Sequence, residues 1–292
     1  GTEPGYVPDN WLRTFNDAQL EALVFEALAY NTDLAVASAR VEQAAGYARL
    51  AGSYIYPTID LLARGGGKGG DSSGVSGVAV FASWELDIWG RARSEREAGS
   101  QQYQAAVFDA EYARQSIAAM VAKSWILAVE ARLQHALAEE IVRSSEQALK
   151  LADDRMRVGK GDEYDLTLAQ ANTESFRDAA RQLALGYEQA LRALETLLGR
   201  YPAAVVEVAT TLPAMPPPVP AGLPSELLER RPDVIAAQRK VASAFHRVAE
   251  AKAARLPRIA LTAGAQNISS DLFVLQNQSS PIVSLGASLT AP

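Results

Sequence analysis

Between residues 91 and 158 the chain holds no proline and one glycine, Gly99. That is 68 residues of strong helix formers. An unbroken helix of this length would run about 100 Å at the usual rise, whereas ordinary globular helices have about 11 residues. Such an element cannot bury itself in a compact domain. It has to be a coiled coil or a wall element of an elongated assembly. Its apolar residues support the second form. Ala110, Ala113, Ile117, Met120, Ser124, Leu127 and Ala131 follow one stripe of three-four spacing, and Ala118, Val121, Trp125 and Ala128 follow a neighbouring one. A two-stranded coil needs one seam. Two seams give a helix with partners on both flanks, as in the wall of a tube.

Gly159 and Gly161 break this pattern, and a second proline-free helix, 163–198, returns antiparallel. It is about half as long as its partner, so something else covers the rest of the long helix. Helix 33–53, with a short helix 17–30 before it, is the available candidate. Asn16 with Gln19 resembles a capping box for the short helix. Asn31 ends it, and Thr32 can cap the next. Residues 1–15 are irregular but carry aromatic anchors at Tyr6, Trp11 and Phe15.

Two alternating runs separate helix 33–53 from the long hairpin. Residues 57–64 place Ile59, Leu61 and Ala63 on one side. Residues 78–88 place Val78, Val80, Ala82, Trp84, Leu86 and Ile88 on one face. The Gly/Ser-rich stretch 65–77 reads as a long polar loop between two strands. The second run has about the 9–11 residues of a tilted membrane-spanning strand. No stretch of about 18 apolar residues occurs, so no transmembrane helix is expected. Short alternating strands escape such a scan.

The arrangement then recurs. Sliding the chain by 200 residues aligns Asp33 with Asp233, Val41 with Val241, Ala44 with Ala244, Pro57 with Pro257, Ile59 with Ile259, Leu61 with Leu261 and Ala63 with Ala263. With Ala37/Ala237 and Ala51/Ala251 this makes nine identities in 31 ungapped positions. The order helix, proline stop, strand, polar loop, strand also repeats. The reading is therefore a first repeat over 1–200, a proline-rich connection over 201–223 and an incomplete second repeat over 224–292, with helices at 224–230 and 233–254. The second unit stops at Pro292, where the first continues into its hairpin. The chain reads as a fragment or an unusual natural truncation, and its start at Gly1 as a mature or a trimmed end. Repeats that cannot bury their own faces need neighbours. An exposed apolar seam on the hairpin is expected, together with strands that either pair irregularly or are partly disordered.

Composition limits the chemistry. The chain of 292 residues is 48% hydrophobic with a formal net charge of −6, which gives no reason to expect a nucleic-acid partner. It has no cysteine, so disulfides, thiolate metal sites and thiol nucleophiles are excluded. The two histidines, His135 and His246, sit apart in separate helices. No nucleophile–base pair or metal cluster is visible, and neither enzymatic activity nor a cofactor or metal is expected. Gly65-Gly66-Gly67-Lys68 lacks the spacing of a phosphate loop and does not lead into a helix.

Two longer motifs are recognisable. Ser83-Trp84-Glu85-Leu86-Asp87-Ile88-Trp89-Gly90-Arg91 resembles the strand-to-helix signature of the TolC/OprM outer-membrane factor family. Pro220-Ala221-Gly222-Leu223-Pro224-Ser225-Glu226-Leu227-Leu228-Glu229-Arg230-Arg231-Pro232-Asp233 resembles the family's mid-chain signature, in the branch serving resistance-nodulation-division drug pumps. The resemblance covers essentially the whole chain. It implies a mainly α fold with a small β part: a long antiparallel α-hairpin for an α-barrel wall, plus strands of a shared transmembrane β-barrel. It implies a homotrimer in the outer membrane and periplasm of a Gram-negative bacterium. There it would meet outer-membrane lipid, a periplasmic adaptor protein and an inner-membrane transporter, and would export small molecules unchanged. Ducts for protein secretion or metal-ion efflux, and a non-membrane coiled-coil scaffold, are the alternatives. The alternating strands speak against the scaffold.

Candidate site residues follow. The turn Arg157, Val158, Gly159, Lys160, Gly161 and Asp162 resembles the adaptor-contacting tip of the family, while its glycines also suffice to make a helix–helix turn. Tyr54, Tyr56, Trp84 and Trp89 lie at strand ends, either as interfacial aromatics of a membrane barrel or as anchors where strand meets helix. Asp153, Asp154, Asp162, Glu163 and Asp165 cluster near the tip, as a cation-favouring mouth or a solvated helix end, with Asp162 a cap for helix 163–198.

Overall fold

The computed structural model describes residues 11–64, 75–216, 228–270 and 282–292. Tyr6, the glycine run 65–67 with Lys68, the connection's Pro217, Pro218 and Pro220 and the first part of helix 224–230 lie outside the described residues. The elements run α1 (Ala18–Tyr30), α2 (Thr32–Ser53), β1 (Thr58–Arg64), β2 (Val75–Leu86), α3 (Arg91–Arg157), α4 (Glu163–Leu197), α5 (Pro232–Ala253), β3 (Arg258–Ser270) and β4 (Ile282–Thr290), after a 3-10 turn at Trp11–Phe15. α3 is 67 residues long. α2 and α5 are each 22 residues and start 200 positions apart. Packing groups the chain into two units, one of residues 1–38 and 110–230, the other of residues 39–109 and 231–292.

The first unit has one apolar core. α1 buries Leu20, Leu23, Val24 and Ala27. They meet Ile117, Ala118, Val121, Trp125, Ala128 and Val129 of α3 and Leu191, Leu194 and Leu198 at the end of α4. The Ala118–Ala128 stripe of α3 is thus used inside the unit. The neighbouring stripe leaves Met120 and Leu127 nearly half exposed. α3 and α4 run antiparallel: Thr173 of α4 bonds toward Ser145 of α3 near the turn, while Leu191 and Leu194, later in α4, share a core with Val121 and Trp125, earlier in α3.

Two capping expectations are corrected here. Asp17, not Asn16, caps α1: one carboxylate oxygen accepts from the backbone N–H groups of Gln19 and Leu20 at 3.0 Å each. The other accepts from the indole N–H of fully buried Trp125 at 3.0 Å. A carboxylate suits this position because it has lone pairs for both tasks and favours the helix N-terminus. Asn16 instead takes the left-handed backbone, φ 48°, which Asn tolerates. Asn31, not Thr32, caps α2, accepting from the N–H groups of Asp33 and Leu34 at 2.9 and 3.2 Å. Its side-chain amide also donates to Leu197 O at 2.8 Å, joining α2 to the end of α4.

In the second unit α3 is flanked by both repeat-related helices. A side chain at Gly99 would come within 3.1 Å of Ala51 Cβ and 3.4 Å of Ala48 Cα, so glycine and alanines permit a close approach of α2. On α5, buried Ser243 donates to Ala98 O at 2.9 Å, and Lys240 pairs with Asp109 at 2.8 Å. α2 covers the front of α3 as the sequence predicts; α5 is a further cover that the sequence reading did not assign.

The four strands form one antiparallel sheet in the order β1-β2-β3-β4. Regular pairing replaces the irregular pairing expected. β2 starts at Val75, three residues before the predicted strand, and stops at Leu86, so Ile88 lies outside it.

Candidate functional site

The sheet register decides what each face carries. Ile59, Leu61 and Ala63 lie opposite Ala82, Val80 and Val78. Leu86, Trp84, Ala82 and Val80 lie opposite Ile259, Leu261, Ala263 and Ala265. Those four lie opposite Leu289, Ala287, Leu285 and Val283. Directly opposed residues share a face, so over residues 59–63, 78–86, 259–265 and 283–289 this face carries only apolar residues; farther along the register it continues with Ser76, Asn267 and Ser269. The other face carries Thr58, Asp60, Ser83, Glu85, Thr262, Gln266, Ser284, Ser288 and Thr290. The apolar face is not covered: Ile59 is 73% exposed, Leu61 72% and Leu285 84%. A contiguous exposed apolar sheet face is what a lipid-facing surface requires.

At the end of this sheet the motif 83–91 forms a strand-to-helix joint. Trp84 donates its indole N–H to Ile55 O at 2.9 Å, and Trp89 donates to Pro257 O at 2.8 Å. The Glu85 carboxylate holds Arg91 through two contacts, at 2.9 and 3.1 Å. Gly90 takes φ +75°. Asp87 caps α3 by accepting from the Ala92 and Arg93 N–H groups at 3.0 Å each. Burial pushes the Asp87 carboxyl up, but these N–H groups and the Arg93 guanidinium outweigh it and leave it below the usual carboxylate range. Tyr54, Tyr56, Trp84 and Trp89 all sit at this joint with 39–66% of their surface exposed. Both tryptophans therefore tie one polar end to backbone while offering ring surface outward.

The predicted tip is a Schellman turn. Lys160 N–H reaches Arg155 O at 2.9 Å and Gly159 N–H reaches Met156 O at 3.0 Å, with Gly159 at φ +69°. Gly161 is needed for space, since a Cβ there would lie 3.0 Å from Met156 N. Asp162 caps α4 by accepting from Asp165 N–H at 2.7 Å. Arg157 pairs with Asp153 at 2.7 Å. Arg157, Val158, Gly159, Lys160, Gly161 and Asp162 are all exposed. Tyr164, two positions after the cap, is 73% exposed and Val158 68%; the sequence reading did not single Tyr164 out.

A residue with no sequence signal holds the far end of the hairpin. Glu195 has no exposed surface. Its carboxylate accepts from the N–H groups of Ala204, Val205 and Val206 at 2.7, 2.7 and 2.9 Å. The same segment is held at Val208 O by Arg132 and at Glu207 O by Gln19. Among the described residues no group of three or more His, Cys, Asp or Glu side chains is placed to hold a metal ion. No described helix is long and apolar enough to cross a membrane.

Comparison with known proteins agrees with this construction. The family model described as "Outer membrane efflux protein" matches residues 23–200 and 223–292. The cation efflux system protein CusC of Escherichia coli O6:H1 is 33% identical over 285 residues, covering 94% of this chain and 61% of CusC. The pyoverdine export outer membrane protein OpmQ of Pseudomonas aeruginosa is 28% identical over 301 residues, covering 97% of this chain and 62% of OpmQ. The solved CmeC outer membrane channel of Campylobacter jejuni superposes with a TM-score of 0.89 at 26% identity, covering 99% of this chain and 65% of that one. The chain therefore spans less than two thirds of the length of these relatives. It belongs to the outer membrane efflux protein family.

Proposed function

We propose that this chain builds one subunit of an outer-membrane duct through which small molecules leave a Gram-negative cell chemically unchanged. The observation that carries the reading is the four-stranded sheet with one exposed face that is apolar over residues 59–63, 78–86, 259–265 and 283–289 and an opposite face of mixed polarity, running directly into the 67-residue helix α3. Among the described residues β1 and β4 each pair on one side only. An unpaired strand edge in lipid is untenable, so the sheet needs further strands. Three copies contributing four strands each give a closed barrel of about twelve, an even number as such barrels have. The helices continue the passage into the periplasm. There the turn Arg157–Asp162 docks a periplasmic adaptor, which connects to an inner-membrane transporter. Tyr54, Tyr56, Trp84 and Trp89 mark the membrane boundary.

The cargo is drug-like or of similar size. CusC, at 33% identity, favours metal cations as a second reading. Export assays in a strain lacking its own duct separate the two. Rescue of dye and antibiotic efflux supports the first, rescue of silver or copper tolerance alone supports the second, and rescue of neither contradicts the duct. Gly159→Leu, which strains the φ +69° position, should lower export and adaptor cross-linking several-fold while leaving the protein in the outer membrane.

A further inference from the structure

A groove of about 380 Å³ lies between α2 and α3 in the second unit, within the size range of small-ligand sites. Ala48 and Gly52 of α2 keep it open, and Arg49, Arg96, Ser100 and Tyr103 line it. Among the described residues neither guanidinium has a carboxylate within 4.0 Å, whereas six of the eleven arginines of α3 and α4 do. Arg49 makes only a long 3.4 Å contact with its own helix at Ala45 O. Two cations sharing a groove repel one another unless an anion joins them. Two hydroxyls beside them add donors suited to a phosphate.

The position narrows the anion. Arg49 is four residues from the end of α2, and Arg96 five residues from the start of α3. Each is therefore within about 8 Å of the helix end that leads to the sheet. The headgroup zone of a bilayer is roughly 5–8 Å deep on each side. The aromatic joint at Trp84 and Trp89 lies at that end of the strands. We propose that this groove binds the phosphodiester headgroup of an anionic phospholipid, held between Arg49 and Arg96 on the helix side of the membrane. The guanidinium fork matches phosphate oxygens in pairs. The inference rests on the duct reading for the depth of the groove.

The test is native mass spectrometry of the full-length protein in neutral detergent, doped with either phosphatidylglycerol or phosphatidylcholine. Retention of phosphatidylglycerol at least five-fold above phosphatidylcholine is expected. Arg49→Gln with Arg96→Gln should abolish that preference, while Arg143→Gln, elsewhere on α3, should keep it. Equal retention of both lipids, or equal loss with Arg143→Gln, overturns the proposal. So does complete displacement of the lipid by inorganic phosphate at about 50 mM where chloride at equal ionic strength leaves it bound, a control for screening, since that assigns the groove to a free anion. Bilayer conductance of the same preparation keeps the two readings apart: conductance with no lipid preference overturns only the groove, and absent conductance overturns the duct.

Discussion

Glu195 shows how one side chain can hold a segment that lacks regular structure. Burial pushes its carboxyl up, yet the N–H groups of Ala204, Val205 and Val206 outweigh that and hold it below the usual glutamate range. A carboxyl depressed in the folded state contributes stability that is present above its unfolded pKa, about 4.3, and lost as pH falls through the lower folded value. Protease cleavage within 200–210 should therefore be slow at neutral pH and accelerate only in the acid range below that unfolded value. Glu195→Gln should remove this pH dependence and destabilise the first unit by about 1–3 kcal/mol, because an amide turns a donor toward N–H groups. Gly199 is fixed by geometry as well as by φ +77°, since a Cβ would lie 2.4 Å from Tyr30 O. Gly199→Ala should lower the thermal midpoint clearly, whereas Gly186→Ala, with open space in α4, should raise it slightly. The contacts of Glu195 were not legible in the sequence. Glu195 looks like any helical glutamate until the chain turns back nine residues later. Asn16 and Asp17 are equally good caps on paper until one of them takes positive φ.

At the scale of elements, α3 was legible because sixty-odd residues without a breaker leave one regular conformation. Its cover was legible in part. Helix α2 was found by elimination, but the contacts of α5, Ser243 to Ala98 and Lys240 to Asp109, span 145 and 131 positions, and no local pattern announces them. The strands show the same division. Alternation fixes which residues share a face, so Ile59, Leu61 and Val80 were grouped correctly. Pairing is a long-range property, and Val75, Ser76 and Gly77 read as loop by composition although they pair with Ser270, Ser269 and Ile268. The faces give a sharp prediction. Leu285→Arg, on the apolar face, should cost about 2–4 kcal/mol if it lies near the membrane midplane. Ser284→Arg, on the opposite face, should be tolerated. Denaturant titration of the protein folded into lipid vesicles reads the difference.

For the whole molecule, the repeat and the two apolar stripes of α3 carry the argument. One stripe fills the core of the first unit, and the other leaves Met120 and Leu127 exposed. In the duct reading that second stripe meets another helix of the assembly. Leu127→Glu should therefore reduce cross-linked trimer several-fold with little change in the unfolding midpoint of the subunit. The most direct test of the central claim is the conductance of the full-length protein in a planar lipid bilayer. A duct predicts discrete, stepwise ion conductance that persists across preparations and is lost with Leu285→Arg. A membrane that stays silent at protein levels where the detergent-solubilised material is a compact monomer would contradict it.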